Sequence, residues 1–320
     1  MLCVYADSSL TDVKAVRPVS AEFAFGSNEN DFQAVFNDDQ ERLASHCYLY
    51  IDGTECGGMI DDVKHDPKEG TMTYTGATWH GLLSSKIIQP DSGADYYTAT
   101  GDVNAVIGTV LKRVGLDGVM QAPATAAGVA VSGYRFGRYV TAYDGLRAML
   151  ATVGRTLSIQ CLSGTVTVSS SPTKRVETKA VTQLFGTPTN HLICLGKGEL
   201  AARVVVHLYA DASGNISKRQ TLKGALERCD IYDYNNAEAD ELEQKGTERL
   251  KEAQTFRSAE LVDVDGEALG IDDVLAAYDS LTGVSAESTV SKVIASYDHR
   301  GTLTVTYETD DKQAKTDTDY

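Results

Sequence analysis

The chain has 320 residues, enough for roughly two to three domains, and its 42% apolar content is ordinary for a globular core. Its 29 Lys and Arg against 45 Asp and Glu leave a formal charge of −16, which argues against a protein that holds duplex DNA by neutralising phosphates. Six scattered cysteines without a CxxC pair argue against a disulfide framework and read as reduced, mostly buried thiols of a cytosolic folding compartment. In chain order, residues 21–25 (AEFAF) alternate weakly and residues 31–36 (DFQAVF) form an apolar run, both read as strands. Residues 47–83 then read as a three-stranded antiparallel meander. Asp52-Gly53 supplies the positive φ of a tight hairpin, and Asp66-Pro67-Lys68-Glu69-Gly70 forms a second turn. Thr71/Met72/Thr73/Tyr74/Thr75 alternate with the period of a half-buried strand.

The texture changes after residue 94. Thr100 can cap a helix whose apolar stripe is Val103, Val106, Ile107, Val110, Leu111 and Val114, stopped by Gly115. A second helix begins at Thr141, with Asp144 three residues on as a capping-box variant, and ends at Gly154. A hairpin over residues 156–162 and 165–169 completes an α/β domain. From residue 190 the pattern is β again, with strands at 191–195, 203–210, 216–222, 259–264 and 273–278. One helix at 237–254 interrupts, acidic at its start and basic later, which suits the helix dipole. The hairpin over residues 288–308 closes the domain, and residues 310–320 read as a frayed polar tail.

Two stretches repeat. Gly70-Thr71-Met72-Thr73-Tyr74-Thr75 aligns with Gly301-Thr302-Leu303-Thr304-Val305-Thr306, each after a Val/Ile-bearing strand and an Asp-containing turn. Common hairpin chemistry gives such a match; two copies of one β-domain give it as well. The expected class is mainly β with α+β insertions. The expected domains are 1–94 (β), 95–185 (α/β), 186–212 with 258–309 (β), 213–257 (a small insertion with one helix) and 310–320 (tail).

Residues that could carry chemistry are few. His46, Cys47, Cys56, His65 and His80 fall in one region without the paired spacing of a zinc site. Asp61 and Asp62 are adjacent on a strand, so they point to opposite faces; Glu55 and Asp61 could share a face but have no pocket beside them. Asp263-Val264-Asp265-Gly266 starts like a calcium loop and then departs from it, and Gly196-Lys197-Gly198 lacks the phosphate-loop pattern. Ser132, Ser158 and Ser163 sit in no nucleophile elbow. Trp79, the one tryptophan, is expected in a core beside Tyr74. Tyr96-Tyr97 and Tyr134/Phe136/Tyr139 are expected to pack on the α/β domain rather than form a carbohydrate platform. No catalytic residue, cofactor or metal is expected, nor a signal peptide or membrane span.

Four stretches carry a resemblance. They are Tyr48-Leu49-Tyr50-Ile51-Asp52-Gly53-Thr54-Glu55 with Gly57-Gly58-Met59-Ile60-Asp61; Tyr74-Thr75-Gly76-Ala77-Thr78-Trp79-His80-Gly81-Leu82-Leu83; Leu195-Gly196-Lys197-Gly198-Glu199-Leu200 with Arg203-Val204-Val205-Val206-His207-Leu208-Tyr209; and the closing hairpin. In this order and spacing, over nearly the whole chain, they resemble the tail-hub proteins of long-tailed phages. That family is related in fold to the baseplate hub of contractile phages and to type VI secretion spike hubs. The resemblance implies two similar β-barrel hub domains joined by an α/β domain and a helical insertion. Three chains would form a pseudo-sixfold ring adapting a sixfold tail tube to a threefold tip and letting DNA pass. It implies hub-motif residues with structural roles: Asp52, Gly53, Gly57, Gly58, Tyr74, Gly76, Trp79, Gly196, Gly198, Arg203, Gly301 and Thr302. Implied partners are the distal tail ring, the tape-measure protein and a tip or receptor-binding protein, at the virion tail tip, after folding in the bacterial host cytoplasm. The chain stops after the second β-domain, so no lysin or fibre activity is expected. The alternative reading is a β-rich carbohydrate-binding or receptor-binding adhesin; a cell-wall hydrolase finds no catalytic set.

Overall fold

The computed structural model describes residues 2–27, 29–184, 188–253, 257–262, 268–281, 284–309 and 313–316. The chain is mainly β and divides into two compact units. Unit 1 holds Met1–Glu177, Val264–Leu275 and Ser288–Asp311; unit 2 holds Thr178–Asp263, Ala276–Glu287 and Lys312–Tyr320. Unit 1 opens with β1 (Cys3–Ala6), β2 (Asp12–Val16), β3 (Ser20–Gly26), β4 (Asp31–Asn37), β5 (Tyr48–Ile51), β6 (Gly57–Met59), β7 (Asp62–Asp66), β8 (Thr71–Ala77) and α1 (Trp79–Ser84). It continues through β9 (Ile87–Ile88), β10 (Thr98–Asp102), α2 (Val103–Arg113), β11 (Met120–Gln121), β12 (Ala130–Arg135), β13 (Val140–Thr141), α3 (Ala142–Ala151), β14 (Arg155–Leu162), β15 (Thr165–Pro172) and β16 (Arg175–Glu177). Unit 2 has β17 (Lys179–Leu184), β18 (His191–Leu195), β19 (Val205–Ala210), β20 (Ile216–Ser217), β21 (Cys229–Asp233), α4 (Ala239–Ala253) and β22 (Arg257–Val262). β23 (Val274–Asp279) and β24 (Val284–Asp298) carry residues of both units; β25 (Leu303–Thr309) belongs to unit 1 and β26 (Gln313–Thr316) to unit 2.

The expected meander is divided between two sheets. β5 and β6 pair within the order β2-β1-β5-β6, while β7 and β8 belong to a second sheet. The change of partner takes one residue step: Ile60 N donates to Cys47 O at 2.8 Å and Asp61 N to Thr75 O at 2.9 Å. In the second sheet, β7-β8-β4-β3-β24-β25 form an antiparallel ladder. The closing hairpin was expected in a separate β-domain. Its residues 292–298 pair with residues 20–26 instead. The two repeated hairpins thus stand at opposite ends of one ladder. Among the described residues these strands stay open and close no barrel.

Period-two alternation sets which face is buried. Phe23, Phe25, Phe32, Phe36, Tyr74, Ala295 and Tyr297 lie on the core face of the ladder, with Phe23 stacked on Phe32 and Phe36 edge-on to Tyr74, both at 5.5 Å. In the other sheet, β5 is buried on both faces, which is why it reads as the unbroken apolar run Tyr48-Leu49-Tyr50-Ile51. Tyr48 and Tyr50 join Val4, Ala6 and Trp79 in a core shared with α2, α3 and the β14–β15 hairpin. Cys3, one residue from Val4, looks the other way; burial first, then Cys3 nearby, raise the pKa of the Tyr297 phenol. The β2-β1-β5-β6 sheet is therefore the middle layer of unit 1.

The expected helices are present. α3 is capped as read: Thr141 Oγ1 accepts from Asp144 N at 3.0 Å. α2 is capped by Asp102 rather than Thr100, because the Asp102 carboxylate also accepts from Ala127 N and Gly128 N at 3.0 Å, whereas Thr100 Oγ1 accepts from Gly133 N. In unit 2, the sheet β20-β19-β18-β21 packs on α4 through Leu192, Cys194, Leu208, Leu242 and Leu250. The expected strand at 216–222 shortens to Ile216–Ser217. Residues 313–316, expected to be frayed, pair with residues 284–287 of β24, since backbone pairing needs no apolar face. Asp263-Val264-Asp265-Gly266 lies outside the described residues.

Candidate functional site

The residues singled out between Gly57 and Trp79 meet where β6 passes the end of β8. Trp79 is fully buried in α1, stacked on Tyr48 at 5.7 Å. α1 starts because Thr78 turns its hydroxyl back to accept from Gly81 N. The three glycines follow from close approach. A Cβ on Gly57 would lie 2.7 Å from Trp79 Nε1; one on Gly58 would lie 2.0 Å from Ala77 O; one on Gly76 would lie 1.9 Å from Met59 O. Two stretches of backbone cross here with no room for a side chain. Asp61 adds a tie across the crossing, its Oδ2 accepting from Ala77 N at 3.0 Å. Tyr74 stands on the core face, and its hydroxyl accepts from Leu43 N at 3.0 Å.

The Asp52-Gly53 turn joins the two halves of unit 1. Gly53, at φ +75°, donates its N–H to Cys161 O at 2.8 Å, and Asp52 Oδ1 accepts from Ser163 N at 2.8 Å. Glu55 Oε1 accepts from Ile159 N at 3.1 Å and lies 3.0 Å from Nε2 of buried His80, which stacks on Phe25 at 4.3 Å. The Tyr50 hydroxyl donates to Asp12 and accepts from Gly164 N at 2.9 Å. In unit 2, Gly196 passes close to Ala237 O and Gly198 takes φ +101° beside Ala202 O. Arg203 Nε donates to Gly196 O at 3.0 Å, and its Nη2 reaches Asp233 at 2.5 Å. Gly301, at φ +83°, and Thr302 form the turn of the closing hairpin, where Asp298 Oδ1 accepts from Thr302 N at 2.9 Å. That bond, foremost, holds the Asp298 carboxyl below the usual carboxylate range. The twelve singled-out residues therefore lie at three places: the crossing with the adjoining hairpin turn, the β18–β19 corner and the closing turn.

The face of the ladder opposite the core was missed by the sequence reading. Thr304, Ser296, Glu22, Gln33, Thr75 and Asp62 stand in register across its strands. They border a cleft of about 1070 Å³, also lined by Glu29, Asp31, Asp61 and Asp298, with no Lys or Arg among its described lining residues. Burial, then the neighbouring Glu29, raise the pKa of the Asp31 carboxyl, against the pull of Lys292. Part of the signal was available: Ser296, Glu22, Gln33 and Thr75 each sit one step from a buried aromatic or alanine in the same strand.

His46, Cys47, Cys56 and His65, grouped in the sequence, form no metal-holding cluster. Among the described residues no group of three His, Cys, Asp or Glu has the geometry to hold a metal ion. Cys47 and Cys56 are buried thiols, and burial pushes Cys56 up to about 12. Phe136 is buried between Tyr97 and Tyr134, at 5.3 and 5.0 Å, so the aromatic cluster is core-bound; only Tyr96 and Tyr139 remain well exposed, at 47% and 58%.

No protein-family model and no curated protein matches the chain. Solved structures do. A tail protein from Neisseria meningitidis MC58 is similar at 13% identity and a TM-score of 0.40, with 97% of this chain and 96% of that one covered. A prophage tail protein from Listeria monocytogenes EGD-e is similar at 10% identity and a TM-score of 0.45, covering 98% and 95%. A chain of the phage P2 baseplate in its activated conformation is similar at 10% identity and a TM-score of 0.38, covering 97% and 100%.

Proposed function

We propose that the chain is a non-enzymatic structural protein of a phage or prophage tail, acting as the hub at the tail tip. The observation that carries the reading is the ladder β7-β8-β4-β3-β24-β25. It is packed on one face, polar and acid-lined on the other, and bounded at both ends by the repeated hairpins. That is a wall element, suited to lining a channel, and a wall of carboxylates repels the phosphates of passing DNA. The order of the resembling stretches along the sequence supports the same reading.

The finer proposal is a homotrimer arranged as a pseudo-sixfold ring between the sixfold tube and the threefold tip. Each chain contributes two β-rich units, and barrels left open in the single chain are completed on assembly, since closure leaves no free edges. The neighbours would be the distal tail ring, the tape-measure protein and a tip or receptor-binding protein, in a virion assembled in the host cytoplasm. The crossing of Gly57, Gly58, Gly76 and Trp79 and the corner of Gly196, Gly198 and Arg203 would be the structural hub motifs.

The test is the mass of the full chain in solution by light scattering across concentration, alone and with a distal tail ring protein. A three-chain species, alone or with the ring, is expected. A monomer under both conditions that binds a glycan array would overturn the hub and favour the adhesin. A channel lined mainly by Lys and Arg in the assembled ring would refute electrostatic repulsion of DNA.

A further inference from the structure

The geometry points to one contact between copies: the bare edge of β25 pairs, antiparallel, with the β7 edge of a second copy. This rests on the trimeric reading above and says which strands make the ring. Three observations lead to it.

The first is the edge itself. β25 pairs with β24 on one side and has no strand partner on the other among the described residues. It reads Leu303-Thr304-Val305-Thr306-Tyr307-Glu308-Thr309, with neither Lys nor Pro to discourage pairing. Its outward N–H and C=O groups offer a ladder that an extended strand satisfies.

The second is a core face left uncovered. Tyr297, Ala295 and Val293 of β24 are 5%, 1% and 3% exposed. Directly opposite them, Leu303, Val305 and Tyr307 of β25 carry the same apolar row one strand further, yet none is buried, and Val305 is 38% exposed. The row continues past its cover.

The third is direction and chemistry. Each neighbour in β7-β8-β4-β3-β24-β25 runs opposite to the last. Five reversals leave β7 and β25 pointing in opposite senses. Rotation about an axis along the strands preserves those senses, so the second copy's β7 arrives antiparallel to β25. Of its core-face residues, Val63 extends the apolar row, while His65 lies 3.3 Å from Asp38. Lys64, on the polar face with no ion-pair partner among the described residues, comes to the side that carries Glu308. The contact is heterologous, and such contacts close into rings when the rotation fits. Because the core-face residues Phe23, Phe25, Phe32, Phe36 and Tyr74 are buried within each chain, the acid-lined face is the one left for the lumen.

The test uses the full chain carrying Cys229→Ser, which removes the one exposed native thiol. Lys64→Cys is made in one preparation; Thr304→Cys, Thr306→Cys and Glu308→Cys are made in three others, to sample register. The expected result is a mixed disulfide only when the Lys64→Cys chain is combined with a β25 variant. In parallel, Val305→Lys should abolish the three-chain species with circular dichroism unchanged. A trimer that forms no mixed disulfide and tolerates Val305→Lys overturns the pairing while leaving the hub standing. Disulfides within a β25 preparation alone identify a two-fold β25–β25 contact and also overturn it. A chain that stays monomeric at every concentration overturns self-pairing, and insertion with the distal ring then decides the hub reading separately.

Discussion

Replacing Gly58 with alanine probes the crossing of β6 and β8 directly. The new Cβ would lie 2.0 Å from Ala77 O and 2.7 Å from Thr78 Cα. Both are backbone atoms and cannot rotate away. Relief requires the two stretches to separate by more than 1 Å, roughly the gap to ordinary van der Waals contact. Separation costs the Gly58–Thr78 bridge and strains the Asp61 N–Thr75 O bond of 2.9 Å. Two weakened hydrogen bonds are worth about 1 kcal/mol each, and overpacking adds roughly 1–3 kcal/mol. The expected loss is therefore about 3–5 kcal/mol, a large part of the roughly 5–15 kcal/mol that holds a typical domain folded. Urea unfolding followed by the fluorescence of Trp79, which lies beside the crossing, reads this loss. A loss under about 1 kcal/mol, with wild-type cooperativity, would refute the argument that backbone contact dictates this glycine.

Thr141→Ala should cost about 1 kcal/mol, because it removes the hydroxyl that caps α3; thermal unfolding by circular dichroism checks it. Asp102→Asn should flatten the acid limb of the stability profile. Hydrogen bonds, first from Ala127 N, lower the Asp102 carboxyl below its ordinary 3.8, so its contribution is full above that value and is lost as pH falls through the folded-state value; urea midpoints at several pH values decide. Arg147→Ala should cost about 1–3 kcal/mol by stranding Asp272, whose carboxylate takes two bonds from the guanidinium at 2.8 and 2.6 Å; a chemical unfolding series measures it. In the native chain Cys229 alone should react with a thiol reagent, while the five buried cysteines react only after unfolding; counting labels by mass spectrometry is the check.

What was legible locally came through. The α3 cap at Thr141 with Asp144, the stripe of α2, the strand at 191–195 and the Asp52-Gly53 turn depend on near neighbours in sequence, so residue type and spacing suffice. Burial of Trp79 was equally readable, although the helix it opens was not, because six residues are too few to establish a period. Distant pairing decided the rest. Asp102 displaced Thr100 as the α2 cap because Ala127 and Gly128, far along the chain, supply two further donors. The meander broke at Ile60 because β6 and β8 cross, and nothing in the alternation of residues marks where a ladder changes partner. The closing hairpin paired with β3, a partner that nothing in its own residues indicates, since its apolar row fits any half-buried sheet edge with the right direction. The acidic cleft likewise exists only because β3, β4, β8 and β24 align their outward residues in register. Sequence alone determined which residues point inward; the tertiary structure decided which strand each stands beside, because strand pairing runs through backbone groups that every residue shares.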